Sequence, residues 1–150
     1  MVKSMDVDGG CLCGHVTYAA AVNPAAVAIC NCTDCQNHSG SAFSVFVPLE
    51  ETDFRLKTGE LSHYEKVGGS GTLRAMGFCP KCGTLIYGKT VGQGMRWMSL
   101  RVGTIRQRAA LKPGRQIWYG SAQTWTDDMA ELPKFDKQPS FDDFATQTED

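Results

Sequence analysis

Seven cysteines in 150 residues fall into three clusters: Cys11 and Cys13 in GGCLCG, Cys30, Cys32 and Cys35 in CNCTDC, and Cys79 and Cys82 in FCPKCGT. Thiols at these spacings do metal or redox chemistry. Residues two apart on a strand project from one face, so Cys-x-Cys presents both sulfurs to one ion, and the turn in Cys-x-x-Cys brings its two sulfurs together. In CPKCG the proline and glycine suit a tight turn whose backbone N–H groups also donate to sulfur and stabilise thiolates. Two such pairs from distant parts of a chain complete the closed, tetrahedral four-thiolate arrangement of structural zinc, and Cys11, Cys13, Cys79 and Cys82 fit that role. An iron–sulfur centre or a redox dithiol is the competing use of the same four residues.

Cys30, Cys32 and Cys35 are left as a three-thiolate cluster in one short loop. Three protein ligands and one open position is the pattern of catalytic zinc, where the fourth position takes a water, a substrate thiolate or a carbonyl oxygen. His38, three residues past Cys35, is a candidate fourth ligand that would close the site. The competing reading makes the three thiols structural, or lets the extra one form a disulfide with a neighbour. The odd count of cysteines and the lack of a secretory signal argue against a disulfide framework.

Short strands must position these clusters. Leu12, Val16 and Tyr18 alternate with Cys11, Cys13 and Thr17, and residues 42–49, 73–78, 84–87 and 96–102 are runs rich in β-formers. The 16 glycines lie mostly between such runs, as turns of an all-β domain require. One helical turn is predicted over Thr33–Ser39, capped by Thr33 or Asp34 and ended by Gly40. Residues 1–138 are expected to form one zinc-binding domain. Residues 139–150 form an acidic, polar tail with few residues to bury, although Phe141 and Phe144 offer a means of docking.

Composition narrows the function. The net charge is -1 and the pI about 6.3, with no cluster of Lys and Arg, so the footprint of a nucleic-acid binder is missing. No apolar run approaches the roughly 18 residues of a membrane helix. A cytoplasmic location is expected, with neither nucleic acid nor membrane as partner.

Taken in order, GGCLCGHVTY, CNCTDCQNHSGSAFSVFV and FCPKCGT resemble the glutathione-dependent formaldehyde-activating enzyme family, which also includes centromere protein V. The resemblance covers roughly residues 8–135, taking in Trp125 and the stretch from Leu132 to Phe135. It implies an all-β fold of the β-tent type built from short antiparallel strands, and two Zn2+ ions per chain. The same resemblance places a structural zinc on Cys11, Cys13, Cys79 and Cys82 and a second, open zinc on Cys30, Cys32 and Cys35. The implied activity is that of a carbon–sulfur lyase, condensing formaldehyde with glutathione to S-(hydroxymethyl)glutathione.

After CNCTDC, Gln36, Ser39 and Ser41 offer hydrogen bonds to a substrate, Gly40 allows close backbone approach and Phe43 an apolar wall. Each also has an ordinary structural use as cap, turn or core. His38 and His63 are the only, weak, candidates for a general base, while His15 reads as a packing or surface residue. Trp97, Trp118 and Trp125 read as core. A lyase acting on adducts of a small thiol therefore competes with a non-enzymatic zinc module that binds glutathione or a protein partner. A chromatin role of the centromere protein V kind would call for a basic extension, and only ten residues precede Cys11.

Overall fold

The computed structural model describes residues 3–92, 94 and 96–145. Ten strands follow in chain order: β1 (Met5–Gly10), β2 (Thr17–Val22), β3 (Ala28–Cys30), β4 (Ser44–Glu50), β5 (Phe54–Thr58), β6 (Ser62–Val67), β7 (Leu73–Phe78), β8 (Leu85–Thr90), β9 (Trp97–Arg101) and β10 (Arg115–Ile117). Among the described residues helix is limited to α1 (Thr33–Ser39), α2 (Phe141–Ala145) and short 3-10 turns, as expected for an all-β chain. The strands form a three-stranded sheet ordered β1-β2-β5 and a seven-stranded sheet ordered β10-β3-β4-β9-β8-β7-β6. Pairing is antiparallel except that β10 runs parallel to β3, Ile117 opposite Cys30. The antiparallel arrangement is the expected one, and β10 is parallel because it arrives by a long crossover rather than a hairpin.

Period-two alternation assigns the faces. On β2, Tyr18, Ala20 and Val22 are buried; on β4, Val47 and Leu49; on β9, Met98 and Leu100. These inner faces join in one core, which also takes Ile86 and Ile105, both fully buried. Phe54 links the sheets: its ring sits 5.1 Å from that of Tyr18 and 5.3 Å, edge to face, from that of Tyr87. The intervening residues of the large sheet, among them Ser44, Phe46, Arg74, Met76, Ser99 and Arg101, share its other face.

Three local expectations are corrected. The strand expected from residue 11 begins only at Thr17, and Cys11–Gly14 is a turn closed by the Gly14 N–H donating to the Cys11 carbonyl at 3.2 Å. Gly14 takes φ +81° there, a left-handed value that favours glycine. The cap of α1 is Cys32, whose sulfur accepts from the Cys35 N–H, rather than Thr33 or Asp34; Gly40 does end the helix, in the left-handed conformation. Trp97, Trp118 and Trp125 are exposed rather than core. In the tail, Ser140 Oγ accepts from the Asp143 N–H at the start of α2, and Phe141 and Phe144 stand exposed without docking.

Candidate metal centres and an adjoining cleft

The first-strand turn and the β7–β8 hairpin bring Cys11, Cys13, Cys79 and Cys82 together, with all four sulfurs within 4.8 Å of one another. Cys11 Sγ lies 3.6 Å from Cys13 Sγ, and Cys13 Sγ 3.8 Å from Cys79 Sγ. Sulfurs at about 2.3 Å from a tetrahedral zinc stand about 3.8 Å apart, so the donor set fits one zinc ion. That spacing does not suit a multi-iron cluster. Backbone N–H groups of Val16 and Lys81 donate to Cys11 and Cys79, and the Thr84 hydroxyl lies 3.2 Å from Cys82 Sγ. Hydrogen bonding from Thr84 pushes the Cys82 thiol down to about 5. The feature that pairs Cys11 with Cys13 is a turn like that of CPKCG, closed likewise by Gly83 N–H donating to the Cys79 carbonyl, instead of the strand alternation expected.

Cys30 ends β3, Cys32 caps α1 and Cys35 lies in its first turn, and their three sulfurs also fall within 4.8 Å of one another. These too fit a single thiophilic ion, with three donors in place of four. His38 is outside that group, so the fourth ligand considered for it is not brought into place. All seven cysteines are free of disulfides. Contact with Cys30, then with Ser44 and the Arg101 charge, pushes the Cys35 thiol down to about 5 against the effect of burial. The same contact, together with burial, pushes Cys30 far up. Burial also raises Cys32, so of the three thiols Cys35 gives up its proton most readily and the negative charge concentrates there.

A cleft of about 530 Å³ opens on these three thiols. Its floor is the outer face of the large sheet, from which Arg74 and Arg101 project, and its rim includes the Gly68–Gly69 turn, Lys66 and Trp118. Trp118 is the one non-glycine among the described residues with positive φ, at 53°. Holding a bulky residue there costs on the order of 1 kcal/mol or more and turns its ring toward the cleft beside Gly69. Lys66 Nζ binds Asp34 Oδ1 at the rim.

None of Gln36, Ser39, Gly40, Ser41 and Phe43 is among the residues that line this cleft. Gln36 braces the loop from behind: its Nε2 donates to the carbonyls of Asn31 and Ser121, and its Oε1 accepts from Gln123. Ser39 Oγ accepts from the Ser41 N–H, and Phe43 is half-buried ahead of β4. Asn31, fully buried between Cys30 and Cys32, donates to Gln116 and to the Ile117 carbonyl. Of the histidines, His38 lines the cleft, His63 pairs with the Tyr87 hydroxyl at 2.8 Å, and His15 pairs with Glu60. Arg74, Arg101 and Asn31 went unnoticed in the sequence, where they read as ordinary strand and loop residues. No local pattern marks them, because strand pairing and register bring them beside the thiols.

A family model described as glutathione-dependent formaldehyde-activating enzyme matches residues 6–121, which contain all seven cysteines but stop short of Trp125. No curated protein matches the chain. The crystal structure of a Rhodobacter sphaeroides protein is similar in fold, with a TM-score of 0.56 and 19% identity, covering 73% of this chain and 98% of that one. No helix among the described residues is long and apolar enough to cross a membrane.

Proposed function

This chain belongs to the glutathione-dependent formaldehyde-activating enzyme family, and from that premise we propose that it is a carbon–sulfur lyase acting on adducts of a small thiol with an aldehyde. S-(hydroxymethyl)glutathione, formed from glutathione and formaldehyde, is the leading candidate. One observation carries the reading: of the two thiol clusters, the one with only three sulfurs is the one onto which a cleft opens. Cys11, Cys13, Cys79 and Cys82 would hold a structural zinc, and Cys30, Cys32 and Cys35 a second one. Zinc in that second place supplies, when bound, a Lewis acid that lowers the pKa of an incoming thiol.

In the condensation, the thiol sulfur adds to the aldehyde carbon, the C=O π pair moves onto oxygen, and the proton lost by the thiol ends on that oxygen. The cleft contributes by holding thiol and aldehyde together and by restricting water around them. Asn31 and Gln36 fix the loop that carries the three cysteines, so the thiols are presented in one geometry. The guanidiniums of Arg74 and Arg101 lie on the same floor and offset the negative charge gathered there. Against a catalytic role stands the shortage of a general base: among the residues lining the cleft, the Asp34 carboxylate is engaged by Lys66 and His38 is exposed at the rim. That observation favours the second reading, a thiol-binding zinc module without turnover.

The test is the rate at which S-(hydroxymethyl)glutathione forms and exchanges, followed by NMR with and without protein. A rate above the spontaneous one that disappears in Cys32→Ser and Cys35→Ser is expected. Saturable glutathione binding with no rate enhancement would select the binding module instead.

A further inference from the structure

Two half-buried guanidiniums on the cleft floor lack the carboxylate partners that desolvated arginines ordinarily have. Arg74 on β7 and Arg101 on β9 face the same side of the sheet as Cys30, and β8 runs between them. Among the described residues, neither lies within 4 Å of a carboxylate. Their hydrogen bonds go to neutral hydroxyls, Arg74 Nη2 to Ser99 Oγ at 3.5 Å and Arg101 Nη1 to Ser44 Oγ at 3.2 Å. Arg101 Nε is buried and has no hydrogen-bond partner among the described residues.

A guanidinium carries five N–H donors, and each one that is taken out of water and left unmatched, as Arg101 Nε is, is costly. Burial, and next the Arg101 charge, push the Arg74 pKa down, as expected of two cations that share a desolvated wall. The wall is nevertheless built to hold them. Arg74 reaches over Gly88, where a Cβ would come within 3.2 Å of its Nη2, so the missing side chain on β8 is what seats the guanidinium against the sheet. The nearby thiolates supply charge, but sulfur accepts hydrogen bonds weakly, and sulfur committed to a metal accepts them less well still. Among the described residues that line the cleft, the one carboxylate, Asp34, is taken by Lys66. The acceptor that this wall lacks is an oxyanion, which two planar guanidinium forks bind in bidentate fashion.

We propose that Arg74 and Arg101 form an oxyanion subsite beside Cys30, Cys32 and Cys35, so that the thiol this cleft accepts carries a carboxylate; the inference rests on the thiol-site reading above. The cysteine cluster takes the sulfur end of the ligand and the arginine pair its acidic end. Thiols of equal size without the acid bind less well.

Titration calorimetry on the zinc-loaded protein tests this with two matched pairs: glutathione against its diethyl ester, and 3-mercaptopropionate against 3-mercapto-1-propanol. The acid of each pair is expected to bind at least about tenfold more tightly, the equivalent of one charge-assisted hydrogen bond to arginine. The ratio should fall toward one in Arg74→Gln and in Arg101→Gln, and be partly restored in Arg74→Lys. Equal binding of acid and neutral thiol by the unaltered protein would overturn the subsite while leaving the thiol site standing, as would a ratio that survives both glutamine substitutions. Failure of all four thiols to bind would overturn both. The comparison on unaltered protein decides the matter even if a variant does not fold.

Discussion

Cys13 Sγ sits 3.8 Å from Cys79 Sγ although 66 residues separate them in the chain, and this contact fastens the turn before β2 to the hairpin between β7 and β8. Leu12, between the two cysteines of that turn, is exposed, but its N–H donates to Thr84 Oγ1, so the two turns are also hydrogen-bonded directly. The small sheet thus depends on a metal-sized cluster of sulfurs for one of its links to the large sheet.

Losing that link should be felt by the whole fold. Cys13→Ser or Cys79→Ser is expected to lower the thermal midpoint by about 10 °C or more, because structural metal binding energy is folding energy. A strong chelator applied to the unaltered protein should do the same. Differential scanning calorimetry with metal analysis checks both; an unchanged midpoint with the metal lost would contradict the structural assignment.

The three-sulfur cluster should behave differently. Cys32→Ser is expected to lower the zinc content from two ions per chain to one while keeping the circular dichroism of the fold, since Cys32 ties no distant elements together. Metal analysis of protein purified under reducing conditions reads this. One zinc in both proteins would remove the metal role assigned to Cys30, Cys32 and Cys35.

Gly88→Ala probes the floor of the cleft without touching a thiol. Its Cβ would come within 2.8 Å of Met76 Sδ and 3.2 Å of Arg74 Nη2, both far ends of flexible side chains, so the fold should survive at a cost of about 1–2 kcal/mol. Displacing Arg74 should reduce the preference for acidic over neutral thiols several-fold. Urea titration measures the first effect and calorimetry the second.

Tyr18 gives the fold an alkaline limit. Burial raises its phenol from the ordinary value near 10 to about 12, and its hydroxyl lies 2.7 Å from Thr104 Oγ1. The folded pKa is the higher one, so protonation stabilises the fold. That contribution is complete below about pH 10, declines as unfolded chains ionise, and is gone above about pH 12, a change of about 2–3 kcal/mol. Denaturation midpoints followed from pH 8 to 12 should fall more steeply for the unaltered protein than for Tyr18→Phe.

Much of the candidate site was legible in the residues themselves. Sulfur clusters at ligand spacing can be counted, and four against three divides them into a closed and an open set. The helical turn over Thr33–Ser39 and the hairpin at CPKCG follow from glycine and proline, whose backbone preferences are local. Substrate contacts were not legible in the same way. Gln36 reads as a pocket residue because it follows the cysteines, yet its amide turns away to bind the carbonyls of Asn31 and Ser121.

What the chain determined by itself is therefore the chemistry available: which atoms can bind a soft ion, and which short segments must turn. The tertiary structure alone decided what faces that ion. Arg74 and Arg101 are separated by an intervening strand and 27 positions of chain, and strand order and register put both guanidiniums on the side of Cys30 rather than in the core with Met98 and Leu100. A shift of one residue in register would exchange those faces, because successive side chains of a strand point opposite ways. Register is settled by pairing between distant strands, and no local pattern in the sequence contains it.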